Sequence, residues 1–142
     1  MRSIGQWIGS AAAVIILATI AAASAARAHQ ASVPVWSGAS DEDCLSLAIY
    51  YEARSETEQG QHAVAQVVLN RVRDPNYPDD VCAVVFQGFE RRTGCQFSFT
   101  CDGSVRRRPV RIGWAAARRR ARSALAGYVD DAVGRATHYH AD

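Results

Sequence analysis

Leu45, Ile49 and Glu52 stand at i, i+4 and i+7, so a carboxyl group occupies a place where the apolar stripe of a helix would otherwise continue. A carboxyl partly withdrawn from water has its charged form disfavoured and its pKa raised, which is what a general acid needs near neutral pH. Spacing alone favours a plainer reading, a rim glutamate with its head in solvent. Two further carboxylates are candidates, Glu56 as a rival to Glu52 and Asp102 as a second carboxylate beside it. Glu56 faces Glu52 if the helix continues for another turn, and falls in the first turn of the next helix if Ser55 caps that one. Asp102 would make this a two-carboxylate hydrolase, although an aspartate before a glycine is more often a turn residue. His138 and His140 alternate and, with His62, point to a different class, a metal-dependent amidase or peptidase. Without an HExxH pattern or a clear third ligand, neither a metal site nor a cofactor is expected.

The elements that must position these groups follow from capping and periodicity. Ser40 with Asp43 resembles a capping pair, and Cys44, Leu47, Ala48 and Tyr51 then recur at helical spacing up to a stop near Arg54. Ser55 with Glu58 repeats the pattern for a second helix, whose stripe is Val64, Val67, Val68 and Val72 and which ends before Asp74-Pro75. Asn70 and Arg71 close it, and capping or pairing suits them better than contact with a ligand. Asp79 or Asp80 caps a short helix with Val81, Cys82, Val84 and Val85, closed by Gly88. Residues 95–101 alternate loosely between Gly94 and Gly103, as a strand or hairpin would. Pro109 opens a long helix with Trp114, Ala117, Ala121 and Leu125 toward the core and Gly127 as its stop, and residues 136–141 suit a terminal strand. The arginine clusters 106–108 and 118–120 read as solvated surface. The fold class expected is α+β, mainly helical, a single domain with a small hairpin or sheet.

A chain of 142 residues, 49% hydrophobic and 21% charged, has room for one compact domain. Its start has the layout of a secretory signal over residues 1–28: Met1 and Arg2, an apolar run over 11–23, then Ala26-Arg27-Ala28 with cleavage before His29. A retained anchor is the alternative, but the strongly apolar core, 14–20, is short. Residues 29–40, broken by Pro34 and Gly38, form a linker, and 41–142 the domain. Loss of Arg2 and Arg27 takes the formal charge from +2 to 0, which gives no argument for nucleic acid or for stable membrane association. The location expected is the periplasm or the exterior. That compartment is oxidising, so the four cysteines favour disulfides over a zinc site, for which close CxxC pairs are missing. Of three possible pairings, Cys44 with Cys82 and Cys95 with Cys101 is preferred, worth about 3.9 and about 2.4 kcal/mol by loop entropy.

Several ordered motifs now carry a resemblance. They are Cys44 through Glu52-Ala53-Arg54-Ser55-Glu56, Glu58-Gln59-Gly60-Gln61, and residues 64–72. Tyr77-Pro78-Asp79, residues 81–87, Cys95-Gln96-Phe97-Ser98-Phe99 with Cys101-Asp102-Gly103, and residues 136–141 follow. Together they resemble the cysteine-containing branch of the SleB-like cell wall hydrolases, the family of the spore cortex-lytic enzymes. The resemblance implies a lysozyme-related domain that cuts the β-1,4 bond between N-acetylmuramic acid and N-acetylglucosamine in peptidoglycan glycan strands. It implies a lytic transglycosylase with Glu52 as its single acid and base, and Gln96, Phe97, Ser98 and Tyr139 as substrate contacts. Phe97 suits core packing equally well. Ser55 stands where the family commonly has glycine, a change expected to be tolerated at a helix boundary. Related chains generally continue past residue 140 with an aromatic-containing tail, whereas this sequence stops at Asp142, which implies a domain truncated at its C-terminus. A catalytically weak peptidoglycan-binding or accessory protein is therefore the alternative function.

Overall fold

The computed structural model describes residues 37–91, 93–128 and 133–138. The expected signal and most of the expected linker lie outside these residues. Four α-helices run through the described chain: α1 (Asp41–Ala53), α2 (Glu58–Arg73), α3 (Val81–Val85) and α4 (Arg111–Leu125), with short 3-10 turns at Ser98–Thr100 and Ser104–Arg106.

Helix α1 is the central element. Ser40 Oγ accepts from the Asp43 N–H at 3.1 Å while Asp43 Oδ2 faces the Ser40 N–H at 3.4 Å, the expected reciprocal cap. Asp41, Glu42 and Asp43 place negative charge on the positive end of the helix dipole. Cys44, Leu45, Ser46, Ala48, Ile49, Tyr50 and Ala53 are all buried, more than one face, because α2, α3 and α4 each pack on α1. A helix covered on most sides needs apolar residues on most sides.

Helix α2 begins later than the Ser55 cap predicts. The chain turns first, with the Glu56 N–H donating to the Ala53 carbonyl, and Thr57 Oγ1 then accepts from Gly60 N at 3.2 Å. Both Ser55 and Thr57 are competent caps, and the reversal from α1 needs the residues between them. Gly60 permits the tight turn, since a Cβ there would stand 3.0 Å from Glu56 Cβ. Asp74 and Pro75 end the helix as expected. Asp80, rather than Asp79, caps α3 by accepting from Ala83 N at 2.8 Å, and the Cys44–Cys82 disulfide ties α3 to α1.

Helix α4 has no side-chain cap. The Val110 N–H instead donates to the Tyr50 hydroxyl at 2.8 Å, so α1 supplies the partner that a local residue would usually provide. Ala117, Ala121 and Ala124 form the buried stripe, while Leu125, expected in the core, is 38% exposed. Small residues bring the helix close to α1: a Cβ on Gly113 would lie 3.1 Å from the Tyr50 ring. Two of the arginines expected to be solvated also hold this packing. Arg118 Nε donates to Glu42 Oε1 at 2.7 Å, and Arg120 pairs with Glu58 at 2.9 Å.

The expected hairpin over 94–103 is not formed; among the described residues there is no strand. Phe97 and Phe99 do point to the same side, which produces the alternating pattern, but both rings enter the helical core instead of a sheet. The Cys95–Cys101 disulfide and the positive-φ residues Gly94 and Gly103 fold the segment into a closed loop whose carbonyls are satisfied locally. Thr100 N and Oγ1 both reach the Phe97 carbonyl, and Cys101 N and Asp102 N reach that of Ser98. Residues 136–138 likewise form no strand, and 139–141 lie outside the described residues.

Candidate active site

Leu45 and Ile49 are fully buried and Glu52, one residue before the end of α1, is half-buried. The stripe therefore surfaces at the carboxyl group. Its neighbour Tyr51 is anchored firmly. The Tyr51 ring stacks on Phe99 with centroids 4.8 Å apart, and its hydroxyl donates to the Ser104 and Arg107 carbonyls, both at 2.8 Å. Burial, reinforced by Tyr50, pushes the Tyr51 pKa above that of a free phenol, so it remains a donor at neutral pH. The backbone that carries Glu52 is thus locked to the loop 104–107 on one side and to the aromatic core on the other.

A second centre is Arg71 on α2, only 3% exposed. Its Nε donates to the Thr137 carbonyl at 2.7 Å, and its guanidinium lies over the rings of Tyr77 and Phe97 at 5.5 and 5.6 Å. The Gln96 carboxamide, with its oxygen turned toward Arg71, accepts from Nη1 and Nη2 at 3.2 Å. Gln66 Nε2 donates to the Gly134 carbonyl at 2.9 Å, and Asn70 Nδ2 to those of Gly134 and Ala136 at 2.8 and 2.9 Å. One face of α2 therefore fixes both the residue 95–101 loop and the segment 134–137. Pairing is what Asn70 and Arg71 do. The central position of Arg71 was not anticipated, although it stands at i+7 and i+4 from Val64 and Val67, a helical-face spacing equivalent to the i+7 and i+3 that singled out Glu52 on α1.

The other candidates separate into different surroundings. Gln96 and Phe97 meet at Arg71, where Phe97 is 2% exposed and packs on Phe99. Ser98 is exposed and lines a cleft of about 290 Å³ with Cys95, Cys101 and Asp102. Tyr139 lies outside the described residues. Glu56 is exposed in the turn after α1, so the helical i+4 relation to Glu52 is not made. Asp102 Oδ1 accepts from Ser104 N at 2.7 Å, and hydrogen bonds from Ser104 hold its pKa below the usual aspartate value. Asp102 is exposed and its Oδ1 is taken up within the turn by Ser104 N, so Asp102→Asn is expected to leave sacculus digestion within about twofold of the parent, as for an ordinary surface turn residue. A larger loss in a sacculus-digestion assay would restore Asp102 as a second catalytic carboxylate. Among the described residues no three of His, Cys, Asp and Glu form a metal-binding group. His62 is buried beside Glu58 at 3.8 Å, and His138 Nδ1 contacts Thr137 Oγ1.

The Cys95–Cys101 bridge closes the loop that carries Gln96, Phe97 and Ser98. Replacing both cysteines by alanine is expected to cost about 2.4 kcal/mol in urea unfolding, the loop-entropy value for so short a loop. An unchanged midpoint would mean that the buried rings of Phe97 and Phe99 hold the loop without it.

Comparison with known proteins adds to this geometry. Residues 55–142 match a family described as Cell Wall Hydrolase. A spore cortex-lytic enzyme of Halalkalibacterium halodurans is 36% identical over 108 residues, which is 76% of this chain and 29% of that protein. The spore cortex-lytic enzyme of Oceanobacillus iheyensis is 33% identical over 110 residues, 76% of this chain and 35% of its own length. That of Bacillus subtilis is 34% identical over 79 residues, 56% of this chain and 24% of its own. The chain thus spans between about a quarter and about a third of the length of these relatives. No solved structure matches. The family match begins three residues after Glu52, whereas the match to the Halalkalibacterium halodurans enzyme covers 76% of the chain, too much to leave out the stretch around Glu52.

Proposed function

The chain belongs to the cell wall hydrolase family, and from that membership we propose that it is a peptidoglycan hydrolase with Glu52 as its single acid and base. The bond cut is the β-1,4 link between N-acetylmuramic acid and N-acetylglucosamine, and the reaction is that of a lytic transglycosylase. The observation that carries this reading is the half-buried Glu52 at the end of α1, on a backbone fixed by Tyr51, in a chain of this family.

In the proposed reaction the Glu52 carboxyl gives its proton to the glycosidic oxygen as the bond to the muramic acid C1 breaks, and positive charge develops on the sugar. The resulting carboxylate then takes the proton of the muramic acid C6 hydroxyl while O6 attacks C1, closing a 1,6-anhydro ring. The carboxylic acid is regenerated and no water is consumed. One carboxyl group suffices, in keeping with the turn roles of Glu56 and Asp102. Gln96 and Ser98 offer amide and hydroxyl groups to the glycan from the 95–101 loop, Phe97 backs them from the core, and Tyr139 adds an aromatic ring from the C-terminal segment. We take the helical fold to be lysozyme-related, residues 1–28 to be an export signal, 29–40 a linker and 41–142 the catalytic domain, acting in the periplasm or outside the cell.

Mass spectrometry of the muropeptides released from purified sacculi tests the proposal. Anhydro-muramic ends are the expected product. Reducing ends would replace transglycosylation by hydrolysis, and no release at all would leave an accessory glycan-binding protein.

A further inference from the structure

The last turn of α2 and the segment that α2 holds enclose a cleft of about 520 Å³, lined by Asn70, Arg73, Asp74, Asn76, Arg135 and Thr137. Three formal charges share this cleft without cancelling. Among the described residues, neither the Arg73 and Arg135 guanidinium groups nor the Asp74 carboxylate has an opposite charge within ion-pair distance. The Asp74 carboxylate and the backbone that carries Arg135 are held in place. Asn76 donates from N and Nδ2 to Asp74 Oδ1 at 2.9 and 2.8 Å, which orients the carboxylate through one oxygen only. Arg135 sits between Gly134 and Ala136, whose carbonyls are both held by Asn70. Two like charges that reach the cleft from different elements, Arg73 from α2 and Arg135 from the segment beside it, with the opposite charge of Asp74 next to them, match a ligand carrying the complementary pair. Guanidinium groups take a planar carboxylate, often through two hydrogen bonds, and an aspartate takes an ammonium. A lone anion such as phosphate would meet the guanidinium groups but would be repelled by Asp74.

We propose that this cleft binds a zwitterionic α-amino acid headgroup, the free amino and carboxylate end of a diamino-dicarboxylic acid residue in a wall stem peptide. The peptide source rests on the peptidoglycan reading above, whereas the preference for a zwitterion rests on the cleft alone. Crosslinking acylates that amino group and removes its charge, which leaves Asp74 facing an amide. The cleft therefore distinguishes uncrosslinked from crosslinked stems, and directs the enzyme toward loosely linked wall.

Calorimetric titration of the full chain tests this with three peptides: L-Ala-D-Glu-meso-diaminopimelate, the same peptide acetylated on its distal amine, and the lysine peptide that lacks the distal carboxylate. The first is expected to bind at least about tenfold more tightly than the other two, the size of one lost charge-assisted contact. Arg73→Gln with Arg135→Gln should abolish the advantage over the lysine peptide, and Asp74→Asn the advantage over the acetylated one, with unchanged circular dichroism melting. Equal affinity for all three peptides, no binding of the first, or variants that bind as the parent does would overturn the proposal. The two readings fail separately. A chain that releases muropeptides yet shows no such selectivity loses the cleft alone, and one that binds selectively but releases nothing loses only the hydrolase assignment.

Discussion

Glu52→Gln is expected to lower muropeptide release from sacculi by about a thousandfold while leaving the thermal unfolding midpoint near that of the parent chain. General acid and base catalysis contributes on the order of 10² to 10⁴ in rate, and in the proposed reaction one carboxyl group performs both transfers, so the upper half of that range applies. A thousandfold loss corresponds to about 4 kcal/mol of transition-state stabilisation. Glutamine has the same shape and keeps an oxygen and donors for polar neighbours, but it cannot yield a proton to a leaving alkoxide. The fold has little reason to change, because Leu45, Ile49 and Tyr51 anchor the end of α1 independently of the carboxyl head. Glu56→Gln is the control, since the exposed Glu56 lies in the turn beyond α1. Retention of more than about a tenth of the activity by Glu52→Gln would sink the catalytic assignment, with the expected range set by general acid catalysis. A comparable loss in Glu56→Gln would transfer it.

How much of this was legible in the sequence depends on how local the governing interaction is. The Ser40–Asp43 cap, the Asp80 cap and the end of α2 at Asp74-Pro75 are decided within four residues; the first and last form as read, and of the two caps offered for α3 it is Asp80 that forms. The start of α2 was misplaced because two capping residues lie two apart and only the geometry of the reversal from α1 chooses Thr57. The hairpin was a wrong inference from a correct pattern. Phe97 and Phe99 alternate because both rings enter a core built by helices, and no neighbouring strand exists among the described residues to complete a ladder. Helical spacing from Trp114, Ala117 and Ala121 points Leu125 to the core, whereas close approach of α4 to α1 buries the smaller Ala124 instead. For the candidate site, the stripe of Leu45, Ile49 and Glu52 was visible as spacing, and the same rule applied to Val64, Val67 and Arg71 would have exposed the second centre. What no spacing rule supplies is the partner. The bonds from Tyr51 to Ser104 and Arg107, and from Arg71 to Thr137, join residues more than fifty positions apart.

Arg71→Leu is expected to destabilise the chain by about 3 kcal/mol or more, because several groups lose their partner at once. The Thr137 carbonyl and the Gln96 carboxamide would each be left facing an apolar side chain, at about 1 to 3 kcal/mol per unsatisfied group. The cation–π contacts to Tyr77 and Phe97 would also be lost, at about 0.5 to 2 kcal/mol together. Leucine relieves the cost of burying a charge, which offsets part of the sum but not the orphaned acceptors. Arg71→Lys separates charge from geometry: an ammonium keeps the charge but cannot reach Thr137 and Gln96 with a planar fork, so about half the loss should remain. Urea unfolding measures the global term, and hydrogen exchange of residues 134–137 measures the local one. Because Gln66 and Asn70 hold Gly134 and Ala136 independently, the segment should loosen first at Thr137 and only then as a whole. An Arg71→Leu chain within about 0.5 kcal/mol of the parent, the range of an ordinary surface substitution, would show that Arg71 is not the clamp between the loop and the C-terminal segment. The expected result instead makes α2, the 95–101 loop and the segment 134–137 one cooperative unit. Loosening Arg71 should then slow muropeptide release even with Glu52 intact, since about 1 Å of misplacement at a catalytic site can cost on the order of a hundredfold in rate.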